Sequence, residues 1–351
     1  MMATVASDLL KALPSLLPSC KVLGMVRGQQ DGRRGGQVHV TIDVLTPLGR
    51  KRRLVVEARA TAVPSRVRET LRQLKATVGS SAAYPVFAST FLSLRVRDIC
   101  REEGVGYLDL AGNGWLRFDD FYLEKVVDRN PFPVRGRPPS LFSPVSSRIV
   151  RALLEEPGRA WQVSELVLAA EVSLGHASNV TRRLIEQDYA ARNGRRLSLT
   201  RPAQLLDAWR DHGTPVPETQ AGYYSFEQNP ARLLQRVAAV GRERQRRYAV
   251  TSFAAASLVA PFVHGIGIIQ WYIEDAAQLE AWVQALDLRP VESGPNVALR
   301  VPQDQGVFYR SRAVDGVALV GDIQLYLDLC REPGRGREQA EFLRKERLRF
   351  S

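Results

Sequence analysis

Cysteine is scarce in this chain: Cys20, Cys100 and Cys330 are the only three in 351 residues, and they lie far apart. That excludes a disulfide framework, and no pair has the spacing of a zinc site. Each sits beside apolar residues and is expected as a small buried hydrophobe. Histidine is nearly as sparse. His39, His176, His212 and His264 are scattered, with no HExxH pair to bind a metal. No apolar run approaches the roughly 20 residues that cross a bilayer. The N-terminus lacks the charge-then-hydrophobic order of a signal peptide. These absences fit a reducing cytoplasm. No membrane partner, cofactor or metal is expected.

Positive charge is what the chain does have. Lys and Arg number 49 against 37 Asp and Glu, a net charge of +12, which favours a polyanionic partner. A codon preference for arginine would raise the total without any function, so placement matters more than sum. Between Pro131 and Gly213 there are 12 Arg, no Lys and 8 acids, a net of +4, and the positive residues concentrate in two short stretches. The length suits two or three domains, and 45% hydrophobic with 25% charged residues is ordinary globular composition.

Those two stretches fall within residues 143 to 200. Ser143-Pro144 opens a helix whose apolar positions Val145, Ile149, Val150, Leu153 and Leu154 recur at helical spacing, and Pro157-Gly158 stops it. Arg159-Ala160-Trp161 suits a short strand. A second helix follows from an N-cap at Ser164, and Glu171-Val172-Ser173 makes a turn that lacks the glycine often found there. Ser173 caps a third helix, from about Gly175 to Gln187. Leu174, Ala177, Val180, Leu184 and Ile185 share its inner side, and His176, Ser178, Asn179, Arg182 and Arg183 its outer side. A donor-rich face free of acids until Glu186 suits the DNA major groove, where Asn pairs with adenine and Arg with guanine. Arg192, Arg195 and Arg196 then cluster around Asn193-Gly194, a strong hairpin signal in which both turn residues are expected at positive φ. The whole segment reads as a winged helix-turn-helix, its wing placed to hold phosphates or a minor groove. A solvated hairpin in a protein-binding domain is the competing reading.

Residues 1 to 130 read as an α/β domain. A short helix over 4 to 17 precedes three extended pieces, Lys21 to Arg27, Gln37 to Leu45 and Arg53 to Ala60, the first two joined by a glycine-rich connector. A helix over Pro64 to Val78, a strand, a helix over Leu94 to Glu103, another strand and a final hairpin follow. The order resembles the restriction-endonuclease-like fold. In that fold an acid on the second strand and Glu-x-Lys on the third bind a divalent ion. Asp43 and Glu57 stand at the matching positions, but Arg59 replaces the lysine, and arginine cannot serve as a base. A scaffold that no longer cuts is the expectation. A magnesium-dependent nuclease using Asp43 and Glu57 is the alternative. Asp109 is expected to cap the Ala-Gly-Asn-Gly turn rather than to catalyse.

A proline- and arginine-rich linker, 128 to 139, leads into the winged domain, assigned to 140–213. Residues 222–351 read as a third domain, α/β and nucleotidyltransferase-like in rhythm. Tyr248 to Val259 is expected as a packed helix there. Nucleotidyl transfer needs a Gly-Ser turn and paired acids for two metals. Neither is present, so no enzyme activity is expected.

LFSPVSSRIVRALLEEPGRAWQVSELVLAAEVSLGHASNVTRRLIEQ resembles the winged-helix segment of AbiEi-type antitoxin/transcriptional regulators of bacterial type IV toxin–antitoxin systems. ICREEGVGYLDLAGN before it, and YAVTSFAAASLVAPFV with DIQLYLDLCREPGRGREQAEFLR after it, resemble the flanks of longer members, so the likeness runs from about Glu57 onward. The resemblance implies a transcriptional regulator that binds double-stranded DNA and represses its own operon. It also implies a counter-role against a nucleotidyltransferase-type toxin without stable binding to it. The nuclease-like front domain departs from the shortest members and leaves room for a plasmid or mobile-element role. A single winged helix reads few bases, so a homodimer is the expected assembly.

Overall fold

A computed structural model of the chain describes residues 8, 11–12, 15–17, 19–27, 38–79, 81–118, 121–127, 131–132, 140–212 and 218–350. The expected N-terminal helix over 4 to 17, the glycine-rich connector and the 128–139 linker lie largely or wholly outside them. The chain is mixed α/β and folds as two compact units. One comprises Met1–Pro138 with Glu186–Asp188, the other Pro139–Ile185 with Tyr189–Ser351. Residues 140–213 and 222–351, read above as two domains, thus share one unit. No helix among the described residues is long and apolar enough to cross a membrane.

The first unit is built on a seven-stranded sheet whose strands follow chain order: β1 Lys21–Arg27, β2 Val38–Leu45, β3 Lys51–Arg59, β4 Tyr84–Ser89, β5 Gly106–Asp109, β6 Gly114–Phe118 and β7 Phe121–Lys125. Strands β1 to β3 form an antiparallel meander. Strands β3, β4 and β5 are parallel, joined by α1 (Pro64–Val78) and α2 (Leu94–Glu102), as parallel pairing requires a crossover. Strand alternation sorts the two faces. Ile42, Val44, Leu54, Val56, Val86 and Leu108 pack on one side. Phe87 and Tyr107 meet α1 and α2 on the other, through Val67, Leu71 and Leu74 at helical spacing and through Val96 and Ile99.

In the second unit, α3 (Pro144–Glu155), β8 (Trp161–Gln162), α4 (Val163–Ala170), α5 (Leu174–Glu186), β9 (Ala190–Asn193), β10 (Arg196–Leu199) and α6 (Pro202–His212) surround a small sheet ordered β8-β10-β9. A larger mixed sheet follows. Its strands are β11 (Glu218–Tyr224), β12 (Tyr248–Thr251), β13 (Ile269–Ile273), β14 (Arg289–Pro290), β15 (Val297–Pro302), β16 (Arg312–Val314) and β17 (Val317–Leu319), ordered β14-β11-β15-β13-β12-β17-β16. The central strand β13 is buried along its whole length, with Gln270 among its apolar residues hydrogen-bonded to Glu332 and Arg300. Helices α7 (Pro230–Glu243), α8 (Ser252–Val259), α9 (Leu279–Leu286), α10 (Asp322–Leu329) and α11 (Gly336–Leu343) flank this sheet. Tyr248 to Val259, expected as one helix, is strand β12 running directly into α8. Tyr-Ala-Val-Thr is strand-forming, and Ser252 at φ 57° turns the backbone between the two.

Helix α3 joins the two sheets into one core that extends from Leu141 to Leu343. Eight of its twelve residues are buried, on both sides of the helix. Its last residue, Glu155, accepts a hydrogen bond from the amide of Ile323 in the first turn of α10 (3.0 Å). Burial pushes the Glu155 carboxyl up to about 7, and nearby Asp322 adds to the rise, against that amide and the more weakly acting Arg312 and Arg151. The folded protein therefore keeps this proton over a range, from about 4.5 to about 7, in which the unfolded chain has released it. Stability from this group is complete below about pH 4.5 and is lost as pH rises through about 7. The melting temperature should fall between pH 5 and pH 7.5, and Glu155→Gln should flatten that fall. An unchanged slope in the variant would assign the pH dependence to other groups.

Candidate nucleic-acid interface

The helix-turn-helix begins with α4. It starts at Gln162 rather than at the expected Ser164, because the Glu165 carboxylate reaches back to accept from the Gln162 amide (2.6 Å). It ends at Glu171, whose φ of 52° is the left-handed conformation a glycine would take, so the turn closes without one. Ser173 then caps α5 as expected: its Oγ accepts from the His176 amide (3.3 Å) and its carbonyl from the Ala177 amide (3.0 Å). Ala177, Val180 and Leu184 are buried against the core. Leu174 departs from the inner side expected for it and is 60% exposed, because it stands in the first turn, beyond the reach of that core.

On the outer side Ser173, Ser178, Asn179 and Arg182 are exposed, while His176 and Arg183 are half-buried. His176 is tied back to the preceding helix, its Nε2 within 3.2 Å of Ser146 Oγ. Arg182 Nη2 donates to Asn179 Oδ1 one turn earlier (3.1 Å), so the residues best suited to adenine and guanine form a single polar unit. In the wing, Arg192, Asn193, Arg195 and Arg196 are all exposed. Arg196 pairs with Asn193 across the hairpin, so the connecting residues are Gly194 and Arg195. Only Gly194 has positive φ, 58°. The expected Asn-Gly turn with two positive φ angles is thus displaced by one residue to a glycine-first turn. Arg196 Nη1 also donates to the Ala160 carbonyl (2.9 Å), which ties the turn end of the hairpin to the residue before β8.

Not every arginine of this segment is available to a ligand. Arg148 forks onto Asp304, with Nε–Oδ distances of 3.0 and 2.9 Å, and Arg151 donates through Nη2 to Gln324 Oε1 (2.7 Å). Both belong to α3 and face the larger sheet. Burial pulls the Arg151 guanidinium down to about 10, so it remains a cation at neutral pH. Two leucines near the turn are exposed, Leu168 at 79% and Leu174 at 60%. Leu168 stands two residues from each of the buried Leu166 and Ala170, on the opposite side of α4, whereas Leu174 shares the spacing of the buried Ala177, Thr181 and Leu184.

The acids offered for magnesium in the first unit do not converge. Asp43 stands opposite Arg53 in the β2–β3 register, while Glu57 stands opposite His39, four residues along. At about 3.3 Å per residue that is about 13 Å. Asp43 is bound to Arg53 at 2.8 Å, a hydrogen bond that holds its carboxyl below the usual range. Glu57 is fully buried and paired with Arg59 at 2.7 Å. Asp109 caps its turn as expected, accepting from the Asn113 amide (2.9 Å), Asn113 Nδ2 (2.8 Å) and the Leu92 amide (2.9 Å).

No family model matches the chain, and no curated protein does. A solved structure described as EndoMS in apo form is similar over 31% of this chain and 46% of its own, less than half of its length, at 15% identity and a TM-score of 0.24. A likeness that slight carries no argument about fold or activity. Ser173→Ala should remove the α5 cap and cost about 1 kcal/mol in urea unfolding. A loss below about 0.3 kcal/mol would show that the cap contributes little to this helix.

Proposed function

We propose that the chain is a sequence-specific double-stranded DNA-binding transcriptional regulator and that residues 144–199 are its winged helix-turn-helix. The observation that carries the reading is one of placement. Ser178, Asn179 and Arg182 share the exposed side of a capped helix, and the wing adds exposed Arg192, Arg195 and Arg196. Neither set includes a carboxylate. Helix α5 reads base edges in the major groove, with Asn179 and Arg182 as the principal readers and Ser173, His176, Ser178 and Arg183 beside them. Arg192, Asn193, Arg195 and Arg196 hold phosphates or a minor groove.

The AbiEi-type likeness in sequence supports a finer version, an operon repressor serving as the antitoxin of a type IV toxin–antitoxin system in the cytoplasm. On that version the first unit is a restriction-endonuclease-like scaffold without nuclease activity. The parallel β3-α1-β4-α2-β5 run supports the scaffold, and the separation of Asp43 from Glu57 supports its inactivity. Residues 222–351 are then a nucleotidyltransferase-like domain, supported by the direct passage from β12 to α8 at Ser252. The regulator acts as a homodimer on paired half-sites.

A gel shift on the chain's own upstream DNA, at two salt concentrations with random competitor, tests the reading. A discrete complex that survives competition is expected. Equal, salt-labile smearing of both DNAs would overturn sequence specificity. Arg182→Ala should cost about 1–3 kcal/mol at the cognate site and relax preference at one base position. Arg195→Ala should weaken all sequences alike and lower the slope of log affinity against log salt by about 1. Unchanged cognate binding by Arg182→Ala would remove α5 from the groove.

A further inference from the structure

Arg151 is 4% exposed, yet it lines a cleft in the second unit whose walls include Ser147, Trp209, Tyr272, Asp304 and Gln324. The cleft holds about 470 Å³ of atom-free space, part of it open to solvent. A guanidinium carries five N–H donors. Here Nη2 donates to Gln324 and the plane lies 5.0 Å over the Trp209 ring, but Nε and Nη1 have no hydrogen-bond partner. A buried cation left this incomplete is costly unless something supplies an anion.

The neighbouring acids are already engaged. Asp304 receives Arg148 and the Gly306 amide (2.8 Å). Asp328 accepts from Thr251 (2.6 Å), Tyr272 (3.0 Å) and Gln324 (2.8 Å). Position 306 holds a glycine where a Cβ would stand 2.9 Å from Arg151 Nη1 and 2.7 Å from Asp304 Oδ1, so the space beside the guanidinium depends on that residue. Trp209, Tyr272 and Val307 give the cleft an apolar and aromatic wall, and Gln303 and Arg331 line it as well. A cation with unmatched donors at the back of an aromatic cleft selects a carboxylate on an apolar body.

We propose that this cleft binds a small organic carboxylate, its carboxylate taken by Arg151 and its apolar body lying along Trp209 and Tyr272. The test uses the protein alone, without DNA, so its failure is separable from any failure of the regulator reading. Calorimetric titration of the full chain with sodium benzoate should show saturable binding at one site, at least about tenfold tighter than sodium phosphate, which has no apolar body. Arg151→Met should weaken benzoate at least about tenfold. Ser147→Glu places a carboxylate one helical turn before Arg151, the i to i+4 arrangement that pairs with it, and should abolish benzoate binding while raising the melting temperature. The second variant keeps the proposal falsifiable if the first does not fold. Absence of saturable heat up to about 10 mM benzoate, phosphate binding as tightly as benzoate, or benzoate binding undiminished in Ser147→Glu would overturn it.

Discussion

The second unit depends on the burial of one helix from both sides. Helix α3 gives Ile149, Val150, Leu153 and Leu154 to a core shared by the small and the large sheet. Its polar residues are equally committed. Arg148 holds Asp304, Arg151 holds Gln324, and Glu155 receives the amide of Ile323. Behind them Gln324 donates to Asp328, which also accepts from Thr251 at the end of β12 and from Tyr272 on β13. The members of this buried network meet their partners in one alignment, which fixes the register of α3 against the larger sheet. Packing alone would tolerate small slides. The polar pairs do not.

That arrangement explains how positive charge is divided within the winged segment. Arginines on α3 and α6 are internal ties, with Arg210 bonded to Asp207, Asp211 and Tyr326. Arg182 on α5 and Arg192, Arg195 and Arg196 on the wing stand at the surface. One residue type thus performs two kinds of work, divided by which face of which helix it occupies. The net charge of the segment therefore overstates the charge available to a polyanion.

Much of this was legible in the sequence because it is local. The helix start at Ser143-Pro144, the cap at Ser173, the 3.6-residue rhythm of α5 and the hairpin around Gly194 each depend on a few neighbouring residues. The β3-α1-β4-α2-β5 order could be read for the same reason, and so could the cap that Asp109 makes. What escaped was set at long range. Asp43 and Glu57 look like partners by strand, but the four-residue offset between them is decided by how β2 and β3 register. Arg148 and Arg151 count as basic residues in the sequence, and only tertiary contact reveals them as buried. Glu171 in the left-handed region and the one-residue shift of the wing turn are local, yet each breaks a propensity that neighbouring structure overrides. Leu174 obeys core spacing and still faces water. Periodicity tells which residues share a side, not whether anything lies against it.

Because most of α3 is buried, on both sides of the helix, α5 is not a portable module. Cutting the chain between α6 and β11 would bare the back of α3 and strand Arg148, Arg151 and Glu155 without their counterparts. Helix α5 packs on the core that α3 and α6 share with the larger sheet, and Arg210 and Tyr326 tie α6 to α10. A domain strung on a flexible tether searches its target independently of its neighbours. Helix α5 is instead built into the compact unit of Pro139–Ile185 with Tyr189–Ser351.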